Sequence, residues 1–102
     1  MKNLSVQQLR ELGTQVRVSH CRKLKFPLRD QGNIMQDYMT RREFEAAGYA
    51  KVKFGDVVES TGGFTIVEIT TNNQTVRGKY SFGPRPFNRR IGLMAAIGRA
   101  LK

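Results

Sequence analysis

The run Phe64-Thr65-Ile66-Val67-Glu68-Ile69-Thr70 limits what this chain can become more than any other stretch. It is rich in β-branched residues, which suit a pleated, half-buried surface better than a helix. Asn72-Asn73 follows, and asparagine accepts the positive φ that a tight hairpin turn demands. The returning segment places Val76, Gly78, Tyr80 and Phe82 on one face, with Arg77, Lys79 and Ser81 on the other. An antiparallel hairpin is expected here, apolar inside and basic outside.

Helices should flank it. Ser5 can cap a short first helix, with Gln8 at the capping-box position and Leu4 stapled onto Leu9. Val6, Leu9 and Leu12 form its apolar stripe, and Gly13 suits the residue after its end. From Gln15 to Lys23 the sequence alternates, with Val16, Val18 and His20 against Arg17, Ser19 and Cys21, the pattern of a half-buried strand. Residues 24–39 hold Pro27, Gly32 and scattered charges without a period, which predicts a long surface loop. Thr40 and Glu43 then form a second capping box, with Met39 and Phe44 as its staple, and that helix stops at Gly48. Tyr49 to Ser60 is expected to be weakly extended, and Thr61-Gly62-Gly63 to turn. The closing helix starts near Pro86 or Asn88. Phe87, Ile91, Met94, Ala95, Gly98 and Leu101 recur at helical spacing, which predicts the face that packs on the sheet. Its internal glycines cost roughly 1 kcal/mol each relative to alanine, so close approach by a strand or a second subunit is expected to compensate. The fold class is α+β: one domain, residues 1–102, with a small antiparallel sheet, an N-terminal helix, a short central helix and a C-terminal helix packed on the sheet.

A chain of 102 residues supports one modest core. Its 18 basic and 8 acidic side chains leave a net charge of +10, which favours polyanionic partners. The excess is concentrated late: no acid follows Glu68, while Arg77, Lys79, Arg85, Arg89, Arg90, Arg99 and Lys102 do. One cysteine, Cys21, excludes an internal disulfide framework and fits a reducing compartment. No apolar run is long enough to cross a bilayer and no signal-peptide core is evident, so a soluble cytoplasmic protein without membrane partners is expected. Catalytic constellations are scarce. His20 and Cys21 are neighbours on a strand and so point to opposite faces. No cluster has metal-ligand spacing, Gly62-Gly63 lacks the lysine of a P-loop, and the basic half holds no paired carboxylates. Neither enzymatic activity, a cofactor nor a metal is expected.

What the residues do offer is anion binding. Tyr80 to Arg90 ends a strand, bends at Gly83-Pro84 and opens a helix with arginines and no offsetting acid. Free N–H groups and the macrodipole already favour an anion at such a helix start. Guanidinium groups suit phosphate, and aromatic rings suit a nucleobase. The candidates are Arg85, Arg89 and Arg90 for phosphate beside Phe82 and Tyr80 for stacking, while Arg17 and Arg22 of the first strand either join the same surface or simply keep it soluble. The competing readings are a solvated helix face for the arginines and core packing for Phe82 and Phe87.

The motifs Leu9-Arg10-Glu11-Leu12-Gly13, Val16-Arg17-Val18-Ser19-His20, Gly62-Gly63 with the strand that follows, Phe87-Asn88-Arg89-Arg90-Ile91-Gly92 and Gly98-Arg99-Ala100-Leu101 together resemble the phage Thoeris anti-defence sponges. That family sequesters a cyclic ADP-ribose signal made by host TIR-domain enzymes. Gly83-Pro84-Arg85-Pro86 stands where members commonly carry an acidic or polar segment. The resemblance implies a compact α+β subunit that forms dimers or larger rings in the cytoplasm of an infected bacterium. It implies a nucleotide pocket near subunit contacts, with Phe82 or Phe64 stacking on adenine, Arg89 with Arg85 or Arg90 on pyrophosphate, and Asn88 or Asn72 making polar contacts. Cyclic oligonucleotides are a second ligand class it implies. The alternatives are a small basic DNA- or RNA-binding regulatory protein, and a protein that blocks a host partner through the 24–39 segment.

Overall fold

The hairpin predicted from the β-branched run sits inside a four-stranded antiparallel sheet with strand order β2-β1-β3-β4. The structure, a computed structural model, describes residues 6–11, 13–49 and 51–102. Its elements are α1 (Val6–Glu11), β1 (Gln15–Arg29), β2 (Met35–Met39), α2 (Arg41–Ala46), α3 (Phe54–Val57), β3 (Phe64–Thr71), β4 (Gln74–Ser81) and α4 (Arg89–Ala100). The architecture is a small α+β fold. The first cap and staple, at Ser5 and Leu4, and the Leu12 position of the first stripe lie outside the described residues.

Asn72 and Asn73 make the β3–β4 turn at φ of 49° and 64°, the left-handed conformation of a two-residue hairpin. Cross-strand register sorts the side chains. His20 faces Thr65 and Tyr80, and Val18 faces Val67 and Gly78, all on one side of the sheet. Arg17, Glu68 and Arg77 share the other side. The first side is covered by α1 and α4 through Leu9, Val16, Val67, Ile69, Ala96, Ile97 and Ala100. A second cluster gathers Leu24, Met39, Phe44, Phe54, Val57 and Val58 at the far end of β1.

Three expectations change. Residues 24–39 are not a loop: β1 runs on to Arg29 and turns back into β2. Pro27 hid this, because proline lacks the N–H a ladder needs. It is accommodated where the β1–β2 register is irregular, between Lys23 and Leu28. Asp30 organises the turn, its Oδ1 accepting from the Gly32 and Ile34 amides and its Oδ2 from Gln36. These bonds, the Ile34 amide foremost, hold the Asp30 carboxyl below its usual range. The stretch from Tyr49 to Ser60 contains the one-turn helix α3, whose Phe54 and Val57 enter the second cluster.

The third change is a rotation of α4. Its buried residues are Gly92, Ala96, Ile97 and Ala100, while Ile91 and Met94 of the predicted stripe are 52% and 46% exposed. Large residues lose to small ones here because the helix lies very close to the sheet. A Cβ on Gly78 would run into the Ala96 carbonyl, and one on Gly92 into the Thr65 hydroxyl. The strand approach expected from the helix glycines is thus present at Gly92. At Gly98, by contrast, nothing lies within 4 Å. Gly98→Ala is expected to raise unfolding stability by roughly 1 kcal/mol. Gly78→Ala should lower it by at least about 2 kcal/mol through overpacking. Urea unfolding of both variants tests the pair.

Candidate functional site

Between Gln15 and Cys21, β1 is paired with β3 on one edge only, since β2 joins from Arg22 onward. At that open edge lies a cleft of about 700 Å³ whose lining includes Arg17, Arg22, Arg41, Arg42 and Arg89. Glu68 is the one acid in the lining, and His20, Phe54 and Phe87 supply its rings.

Local chemistry fixes each wall. Thr40 caps α2, accepting from the Glu43 amide, and the Glu43 carboxylate accepts from the Thr40 amide. Met39 and Phe44 are both buried beneath this start, so Arg41 and Arg42 are carried to the cleft at the first turn. The Arg41 guanidinium lies 5.7 Å from the Phe54 ring centroid. On the opposite wall, Asn88 caps α4 by accepting from the Ile91 amide at 3.0 Å, and Arg89 follows it. The link before α4 is tied to residues 60–62: the Gly62 amide donates to the Arg85 carbonyl, and the Phe87 amide to the Ser60 carbonyl. Phe87 is thereby set over β1. Gly63 has a φ of 83°, and a Cβ there would sit 2.6 Å from the Cys21 carbonyl and 3.0 Å from the Phe87 ring. Glycine is needed at that point for both reasons.

Arg22 is the best-anchored cation. Its guanidinium stacks over Phe87 at 4.4 Å, and Nη2 donates to the Glu59 carbonyl at 2.9 Å. Its Nε is buried with no hydrogen-bond partner among the described residues, an unmet donor of the kind that is costly unless something accepts from it. Burial, and then the nearby Arg89 charge, lower the Arg22 pKa. His20 bonds through Nδ1 to the buried Thr65 hydroxyl at 2.9 Å and meets Phe87 edge-on at 5.9 Å. Burial first, then Arg89 and Arg22, hold its pKa below the ordinary 6.5. Cys21 faces the other side of the sheet, paired with Phe64, and burial pushes its thiol up to about 11. It is protonated at neutral pH, a poor nucleophile.

The sequence candidates divide. Arg17, Arg22 and Arg89 meet in the cleft. Arg85 and Arg90 are exposed and do not line it; Arg85 instead donates to the Tyr80 hydroxyl at 3.4 Å. Phe82 is only 4% exposed, tilted against Phe87 and edge-on to Tyr80, so its ring is core. Asn88 uses its side chain as a helix cap. Phe64 lies on the opposite sheet face, and Asn72 in the β3–β4 turn. The residues missed as site candidates are Arg41, Arg42, Phe54 and Phe87. One signal pointed to two of them: Thr40-Arg41-Arg42 and Asn88-Arg89-Arg90 are the same arrangement, a capping residue followed by two arginines. Among the described residues, no group of His, Cys, Asp and Glu could hold a metal ion. No described helix is long and apolar enough to cross a membrane.

Comparison with protein-family models, with curated proteins and with solved structures gave no match.

Because its folded pKa is lowered, His20 favours folding above the unfolded value, and that contribution is lost as pH falls through the folded pKa. Stability should therefore drop on acidification below pH 6.5, and less steeply in His20→Gln. An anion in the cleft offsets Arg89 and Arg22, so added pyrophosphate should raise the His20 pKa. An NMR titration of the imidazole signals reads that shift, and no movement would show that the anion binds elsewhere.

Proposed function

We propose that this chain is a non-enzymatic binding protein that takes a phosphorylated small molecule into the arginine-lined cleft and holds it unchanged. One observation carries the proposal: five arginines line a cavity of about 700 Å³ whose lining has a single acid. Like charges brought together this way repel one another, and a phosphorylated ligand converts that cost into charge-assisted hydrogen bonds. The unmet Arg22 Nε and the rings of Phe87 and Phe54 add a polar and an apolar contact surface to the same space. A cyclic ADP-ribose signal is the ligand class that the resemblance to Thoeris anti-defence sponges brings to this cleft. Sequestration in an infected bacterial cytoplasm, by a homo-oligomer, is the corresponding biological role. The binding residues proposed are Arg17, Arg22 and Arg89 from the sequence candidates, joined by Arg41, Arg42 and Phe87.

The test is calorimetric titration with cyclic ADP-ribose isomers, followed by denaturation and mass analysis of the recovered ligand. Binding with the ligand recovered intact is the expected result; an altered ligand would mean catalysis and overturn it. Arg89→Gln removes a charge-assisted bond worth about 1.5–3 kcal/mol, so affinity should fall by roughly tenfold to a hundredfold. Arg89 is exposed, so its loss should change unfolding stability by less than about 1 kcal/mol.

A further inference from the structure

The sheet has a second face, and none of its side chains is fully buried. Along β3 the residues facing away from the helices, Phe64, Ile66, Glu68 and Thr70, are all half-buried, between buried Thr65, Val67 and Ile69. Both apolar clusters take their strand residues from the opposite face. The open face is nonetheless not bland. Tyr38 of β2 pairs with Lys23 of β1, and its ring lies 5.4 Å from Phe64 at a 49° tilt. Tyr38 is 40% exposed. The Lys79 ammonium sits 4.3 Å above the Phe64 ring, and Lys79 pairs across the strand with Ile66. Arg77 follows two residues back on the same side, opposite Glu68. Rings at one end and exposed cations beside them form a continuous surface, and none of Lys23, Tyr38, Phe64, Ile66, Arg77 and Lys79 lines the arginine cleft.

We propose that this open sheet face binds single-stranded nucleic acid, with an unpaired base on Tyr38 and Phe64 and phosphates on Lys23, Lys79 and Arg77. Charge complementarity selects a polyanion: β1 and β4, which bear these cations, hold no acid, and Glu68 is the one acid on β3 between them. The rings select a single strand, because a base stacks on them only when it is free of its own partner. The lysine already over Phe64 marks the ring as attractive to a cation, and its flexible stem lets it move to a phosphate when a base takes its place.

The probes are fluorescently labelled oligo(dT) and oligo(rU) of about 12 nucleotides, within the span a single small domain covers, together with a duplex of equal length. Anisotropy titrations at several salt concentrations should show single strands bound more tightly than duplex. Neutralising three phosphates predicts a log–log salt slope of about −2, and Lys79→Gln should reduce its magnitude by about 0.7. Tyr38→Leu should weaken single-strand binding roughly tenfold, Tyr38→Phe should retain it, and Arg22→Gln should leave it intact. Comparing dT with rU shows which sugar is preferred. Preference for duplex, no binding at low salt, or loss with Arg22→Gln but not with Tyr38→Leu would each overturn the assignment. The last of these would move the nucleic acid into the cleft; failure of nucleotide binding there leaves the open-face test untouched.

Discussion

Everything in this fold hangs on how closely α4 approaches the sheet. Gly78 on β4 meets the backbone at Ala96, and Gly92 on α4 meets Thr65 on β3. With no Cβ at either crossing, the α4 backbone packs directly on the strand at Gly78 and on the Thr65 and Phe82 side chains at Gly92, gathering many short-range dispersion contacts. The same approach settles which helix face is inside. Only small residues fit it at three of the four buried positions, Gly92, Ala96 and Ala100, with Ile97 as the larger exception.

That contact also builds the site. Gly92 is in the first turn of α4, directly over Thr65, and Thr65 holds His20 on β1. Fixing Gly92 therefore fixes Arg89 just before it, beside the strand that carries Arg22. The opposite wall is set by a separate cluster around Met39, Phe44 and Phe54. β1 runs through both clusters, and its unpaired edge lies in the gap between the helices that cover them. The cleft is a seam between two small cores. A chain of this length with so large a positive excess has few places to bring its cations together; this seam does so with five arginines.

The two faces of the sheet divide the chemistry. The covered face ends in the cleft, where burial and arginine charge hold the His20 pKa below its ordinary value. The open face carries rings and exposed cations. Pairing register sorts the strand side chains between the faces, since a one-residue slip would exchange the sets, and only at the free edge of β1 do Arg17, Ser19 and Glu68 of the open side reach the cleft. His20 and Cys21 illustrate this: adjacent in sequence, one bonds to Thr65 beneath α4, while the other sits beside Phe64 on the open side.

The sequence by itself determined the local elements whose signals need only a few neighbouring residues. The alternation around Val16, Val18 and His20, the Asn72-Asn73 turn, the Thr40–Glu43 capping box and the Asn88 helix start were all legible, because backbone conformation and capping act over one turn or less. Arg22 and Arg89 were legible as candidates for one basic surface, and both line the cleft. Tertiary structure decided the rest. The 24–39 hairpin depends on an irregular register that absorbs Pro27, and the orientation of α4 on a glycine in another strand. Whether Phe82 is core, or Arg41 and Arg89 share a cleft, depends on which surfaces meet across long sequence separations. Periodicity along one helix records hydrophobicity, not the distance of the neighbour it will pack against, so it favoured Ile91 and Met94 where only Gly92 and Ala96 fit.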